Sequence, residues 1–123
     1  MTKILDIQQS IIAANGNVKL AKDLFVMLLD DLALRQSQIE SSFKSKDFTA
    51  LEEYIHKLYG ATAYCIVPQL RQCTEIAEHA LRNKEYDELE SLIDKVLKEI
   101  KKLTSDGPDF IDKDWQELKT IVE

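Results

Sequence analysis

Apolar residues recur along this chain at helical spacing, in blocks separated by short polar punctuation, and the pattern predicts helices throughout. Ile4, Leu5, Ile7, Ile11 and Ile12 mark a short first helix over 4–14. Asn15-Gly16 ends it, since both residues tolerate the left-handed conformation found after a helix terminus. Asn17 is placed to cap a long second helix through Ser45, with Leu20, Ala21, Leu24, Leu28, Leu32, Ile39 and Phe43 near one side. Asp47 can cap a third helix, whose inward stripe is Leu51, Ile55, Leu58 and Thr62. A break is expected near Ile66-Val67-Pro68, because proline disfavours helix in the residue before it yet suits a first turn. Pro68 then opens a fourth helix carrying Leu70, Cys73, Thr74, Ala77 and Leu81, and Asn83-Lys84 marks a turn. The fifth helix, expected over 85–103, has the cleanest period: Leu89, Leu92, Ile93, Val96, Ile100 and Leu103.

Thr104-Ser105-Asp106-Gly107-Pro108 reads as a linker. Beyond it, Phe110, Ile111, Trp115, Leu118 and Ile121 predict a short sixth helix docked on the rest, since Trp with Phe and Ile makes an unusual solvent face. The expected fold class is therefore all-α: an antiparallel four-helix bundle with the first helix as a lid and a short C-terminal helix. The expected division is a bundle domain over 1–106 and a docked tail over 107–123.

Composition narrows the function. The 123 residues are 45% hydrophobic and 31% charged with little Gly or Pro, which suits one folded helical domain able to bury a core without metal or disulfide staples. A net charge of −6 argues against a nucleic-acid surface, which needs a basic patch. Cys65 and Cys73 make no disulfide framework and point to a reducing compartment. Met1-Thr2-Lys3 leads straight into an amphipathic segment rather than a signal peptide, and the longest apolar runs fall short of the ~18–20 residues of a membrane span. The expected location is the cytoplasm, with no direct membrane contact.

A lone histidine at a helix edge is usually a plain surface residue, but its surroundings make His56 the candidate for chemistry. At about 100° per residue it lies beside Ile55, at the edge of the apolar stripe, with Glu52, Glu53 and Lys57 on the wet side. Gly60 is one turn along and Ala63 continues that face. Glycine inside a helix costs roughly 1 kcal/mol relative to alanine, and close approach by another surface is the best reason to accept it. A neutral imidazole nitrogen is a nucleophile, and Lys57 is a flexible cation within reach of a group attached to it. His79 falls beside Glu78 among charges, as a solvated residue. The cysteines lack the close-paired spacing of a zinc site or a Cys-x-x-Cys redox pair, so no metal is expected. Tyr54, Tyr59 and Tyr64 spiral around the helix, with Tyr59 bordering the histidine's surface, and the acidic cluster Glu85, Asp87, Glu88 and Glu90 suits a helix start. Neither a nucleotide-binding glycine loop nor an autonomous acid/base pair is recognisable.

The stretch from His56 to Leu70, with Leu58, Gly60, Pro68, Leu70 and Glu78 in step, resembles histidine-containing phosphotransfer (HPt) domains. Tyr64-Cys65-Ile66-Val67-Pro68-Gln69-Leu70 looks most like the HPt module closing tripartite hybrid sensor kinases of the BarA type, and the likeness reaches back to Gly16-Asn17 and Lys19-Leu20-Ala21-Lys22-Asp23. The resemblance implies that His56 is the phosphorylated histidine and Gly60 the contact glycine, with Lys57, Tyr59 and Ala63 bordering the docking and phosphate surface. It implies a monomeric phosphocarrier that is no enzyme in its own right and binds no cofactor. The partner would be a receiver domain, which supplies the aspartate and Mg²⁺. The module would be freestanding or the cytoplasmic end of a membrane sensor kinase. Two positions depart from the pattern. Tyr59 stands where many members have Lys or His, leaving Lys57 as the nearest cation, and Ile66 replaces the usual glycine at the helix–helix turn, so that either the turn is altered or the helix runs on. The alternatives from other classes are a helical interaction module that is never phosphorylated and a dimerising four-helix core.

Overall fold

The structure, a computed structural model, describes residues 5–116. Ile4, Leu118 and Ile121 lie outside them. Five helices are seen among the described residues: α1 (Ile7–Ala13), α2 (Val18–Lys44), α3 (Phe48–Ala61), α4 (Pro68–Arg82) and α5 (Leu89–Ile111). Each of α2 to α5 packs against its two neighbours in the cycle α2–α3–α4–α5–α2, which closes an antiparallel four-helix bundle, and α1 lies on α2.

Local chemistry sets most boundaries. Asp6, Asn17 and Asp47 cap α1, α2 and α3 by accepting from the backbone N–H groups of Gln9, Leu20 and Ala50 at 3.0, 2.9 and 3.1 Å. Three helices end in the same way. Asn15, Lys46 and Lys84 adopt φ of 56°, 59° and 57°, and the next residues, Gly16, Asp47 and Glu85, donate back to Ile11, Ser42 and Ala80. These are Schellman ends, in which the left-handed residue lets the chain reverse and satisfy the last carbonyls. Pro68 stands in the first turn of α4, where its missing N–H costs nothing.

The core forms where the apolar stripes meet, with Leu32, Leu51, Ile55, Leu58, Leu70 and Ile100 almost fully enclosed. Phe25 belongs there too, at 0% exposure, while Leu20, expected on the inner side, is 44% exposed. The helix does not run on through Ile66. α3 stops at Ala61, and Ile66 donates to Ser10 Oγ at 3.0 Å while accepting from Asp6 N–H at 2.8 Å. One backbone and one side-chain hydrogen bond from the start of the lid helix thus hold the segment between α3 and α4.

The C-terminal third departs from expectation. α5 begins at Leu89 and runs through the expected linker to Ile111, with Pro108 inside it. Phe110 and Ile111 therefore belong to α5 and not to a sixth helix. Packing overrides propensity here: Gly107 is buried, and a Cβ placed on it would fall 2.7 Å from the Leu29 methyls of α2. After α5 the chain turns back, and Trp115 is buried against Phe25 with ring centroids 5.9 Å apart, its Nε1–H donating to the Phe110 carbonyl at 2.8 Å. Trp115 thus packs on α2 and the end of α5.

Candidate functional site

Two polar stripes face each other across α3 and α4, each one residue out of step with a core stripe. Along α3 and the turn that follows it, the core residues Leu51, Ile55, Leu58 and Thr62 are followed by Glu52, His56, Tyr59 and Ala63; on α4, Leu70, Thr74, Ala77 and Leu81 are followed by Arg71, Glu75, Glu78 and Arg82. One residue is about 100° of helix rotation, so these second stripes emerge at the rim of the packed interface. Between them lies an open cleft of about 420 Å³. Its α3 side is His56, Tyr59, Gly60 and Ala63, and its α4 side is Arg71, Glu75, Glu78, His79 and Arg82.

His56 presents a side chain that is 70% exposed, yet one of its nitrogens is fixed. Nδ1 lies 2.5 Å from Oε1 of Glu78, whose side chain is only 9% exposed, and the same oxygen accepts from Arg82 at 2.6 Å. A carboxylate paired with a guanidinium only accepts, so Nδ1 carries the proton and donates. In the neutral ring this leaves the lone pair on Nε2. A buried carboxylate is costly without partners, and Glu78 has two charge-assisted ones. The imidazole is held from behind and open in front.

Gly60 lies beside His56 on α3, exposed, and a Cβ added there would meet nothing within 4 Å. Gly16 is the glycine with positive φ among the described residues, so backbone conformation does not demand glycine at 60. Internal packing does not demand it either. Ala63 lines the same cleft from the turn after α3 rather than from the helix itself.

Lys57 does not line the cleft; its Nζ pairs with Glu53 at 3.2 Å. The cations there are Arg71 and Arg82. Tyr59 is half-buried and carries Arg71, whose Cζ stands 4.5 Å from the ring centroid and whose N–H donates to the phenolic oxygen at 3.1 Å. His79, expected as a surface residue, is exposed at the rim with its ring against the Asn83 amide.

Glu78 and Arg71 are cleft residues that helix periodicity alone does not single out, and Glu78 enters the sequence reading only through the family resemblance. Their signal was the polar run 71, 75, 78, 82, which tracks the core stripe around α4. The cysteines stand apart from the cleft. Burial pushes both thiols up to about 12, the Ser10 hydrogen bond opposing this at Cys65, and Glu99 adding to it at Cys73. Thiols held protonated are poor nucleophiles and poor metal ligands. Among the described residues, no group of three or more His, Cys, Asp or Glu side chains is arranged to hold a metal ion.

The closed helical bundle is the fold of a phosphotransfer module of two-component signalling. Residues 23–106 match the Hpt domain family model, and the chain belongs to that family. It is 40% identical over 79 residues to the sensor protein GacS of Pseudomonas syringae, covering 64% of this chain and 9% of that protein. It is 34% identical over 97 residues to the signal transduction histidine-protein kinase BarA of Escherichia coli K12, covering 75% of this chain and 11% of that one. The chain thus spans about a tenth of the length of the curated relatives it matches. The crystal structure of the HPT domain of a Shewanella hybrid histidine kinase superposes with a TM-score of 0.83 at 29% identity, covering 88% of this chain and 93% of that one.

Proposed function

We propose that His56 carries a phosphoryl group between receiver-domain aspartates. The observation that supports this reading best is the held imidazole: Nδ1 lies against buried Glu78 while the side chain stays 70% exposed, and a proton on Nδ1 leaves the Nε2 lone pair for the incoming group. In the forward step, Nε2 attacks the phosphorus of an aspartyl phosphate. The Nε2–P bond forms as the P–O bond breaks, and the bonding pair leaves with the receiver's carboxylate. No proton has to be removed from Nε2 first, and Glu78 faces the positive charge that develops on the ring. Positioning and electrostatics supply most catalysis in phosphoryl transfer. The receiver contributes the aspartate and its Mg²⁺; this chain contributes a pre-oriented nucleophile, holds no cofactor and works as a phosphocarrier rather than an autonomous kinase.

Gly60 and Ala63 leave room for the partner's active-site loops, because reacting atoms must come within about 3–3.5 Å. Its net charge of −6 favours a protein partner over nucleic acid. The core closed within one chain supports a monomer, and the relatives' signalling role supports a cytoplasmic location. No helix among the described residues is long and apolar enough to cross a membrane.

The test is incubation of the chain with a phosphorylated receiver. Acid-labile phosphate should appear on the parent and be absent from His56→Gln, with helix content and melting nearly unchanged because the ring is exposed. Phosphate uptake by His56→Gln would overturn the assignment. A parent that binds the receiver without ever taking up phosphate would make it an interaction module.

A further inference from the structure

The two arginines of the cleft are not equivalent. Arg82 is compensated, with a nitrogen 2.6 Å from Glu78. Arg71 is not. Among the described residues, the ion pairs that arginines form belong to Arg35 and Arg82. The partners of Arg71 are neutral: Thr62 Oγ1 at 2.9 Å, the Tyr59 hydroxyl at 3.1 Å and the Tyr59 ring face at 4.5 Å. Carboxylates are abundant in a chain with 22 acidic and 16 basic residues, and Glu75 lines the same cleft one turn along α4. Even so, the guanidinium is held by hydroxyls and a ring.

Those contacts fix the plane of the fork without cancelling its charge. Two hydrogen bonds occupy two of five N–H donors, and a stacked guanidinium has surrendered much of its freedom before any ligand arrives. Thr62 ends α3 and Tyr59 is on its last turn, so Arg71 is anchored to the same element that presents His56. The cleft therefore contains a nucleophilic nitrogen and, on the facing helix, a pre-set positive fork with open donors. That is a receptor for a planar, multiply charged anion.

We infer that Arg71 is a phosphoryl-binding residue, whose free N–H groups take the non-transferring oxygens of the phosphoryl group as it moves to and from His56. This rests on His56 being the acceptor. Arg71 forms and breaks no covalent bond; it offsets charge on the equatorial oxygens while the Nε2–P bond forms and the P–O or P–N bond of the donor breaks.

The experiment uses the full chain with two donors, a phosphorylated receiver and phosphoramidate, a small molecule that gives up ammonia and needs no docking surface. Phosphohistidine is followed by ³¹P NMR. Arg71→Gln should slow uptake from both donors by about tenfold or more, the size expected for one charge-assisted hydrogen bond. Arg71→Lys, which keeps the charge and loses the fork, should fall between Arg71→Gln and the parent. Added salt should slow the parent more than Arg71→Gln. Slowing with the receiver alone would make Arg71 a docking contact and overturn the inference, as would parent-like rates with both donors. If Arg71→Gln does not fold, a parent-like rate in Arg71→Lys overturns it as well. A parent with no phosphohistidine from either donor would instead remove the reading of His56 on which the inference rests.

Discussion

Glu78 and His56 meet across 22 residues of sequence, carboxylate oxygen to Nδ1 at 2.5 Å, and that contact joins the buried interior of α4 to the exposed surface of α3. One oxygen of Glu78 serves both His56 and Arg82, so the histidine is oriented by a group that is itself oriented. The ring's rotamer and its tautomer are set by a single contact.

The first prediction follows from that contact. Glu78→Ala should leave the bundle folded but release the imidazole, so that the ring proton redistributes to Nε2. Hydrogen bonds to charged groups are worth about 1.5–3 kcal/mol, so phosphotransfer should fall by roughly ten- to a hundredfold. Glu78→Gln keeps an acceptor without the charge and should fall in between. Ring ¹⁵N shifts of His56, read alongside the transfer rate, check the mechanism. Unchanged shifts in Glu78→Ala, or full activity, would mean that the carboxylate does not set the tautomer.

The second prediction concerns Gly60, where helix stability and function should move in opposite directions. Nothing inside the molecule lies within 4 Å of an added Cβ, so Gly60→Gln meets no internal clash. It should gain up to about 1 kcal/mol in a urea melt from helix propensity. Its side chain would nevertheless stand beside His56, where the partner must approach. Misplacement by about 1 Å can cost about a hundredfold in rate, and transfer from a receiver should slow on that scale. A stabilised variant with the parent's transfer rate would show that no surface docks closely there.

Much of this was legible in the sequence, and what was legible was local. Asn17, Asp47 and Pro68 announce their helices because a cap involves residues three apart, and Leu51, Ile55, Leu58 and Thr62 announce the core face of α3 because the helical period is fixed. The tertiary contacts were not. Thr104-Ser105-Asp106-Gly107-Pro108 has the composition of a linker, and only the proximity of Leu29 shows why a glycine there lets α5 continue against α2. Lys46 has no residue-type signature for its left-handed φ; the reversal after α2 imposes it. His56 was visible as a candidate from its neighbours on α3, whereas its partner Glu78 and the charge of Arg71 come from α4. Lys57 looked like the site's cation because it is adjacent in sequence, but it belongs to the helix face of Glu53.

The last prediction concerns the far side of the bundle. Trp115 is the chain's single tryptophan, 1% exposed, packed on Phe25 of α2 and bonded to the end of α5. The cleft is lined from α3 and α4, so this anchor bears on stability without touching His56. Replacing a buried Trp by Ala typically costs about 3–5 kcal/mol, and Trp115→Ala should lower the urea midpoint accordingly. Deleting residues 112–123 should do much the same, because it removes the anchor together with whatever follows it. Both variants should still transfer phosphate at temperatures where circular dichroism shows them folded. The parent's tryptophan emission should be blue-shifted and poorly quenched by iodide. A water-exposed emission spectrum would mean that the anchor is not seated in solution, and transfer that speeds up on truncation would mean that the tail covers the histidine instead of bracing the opposite face.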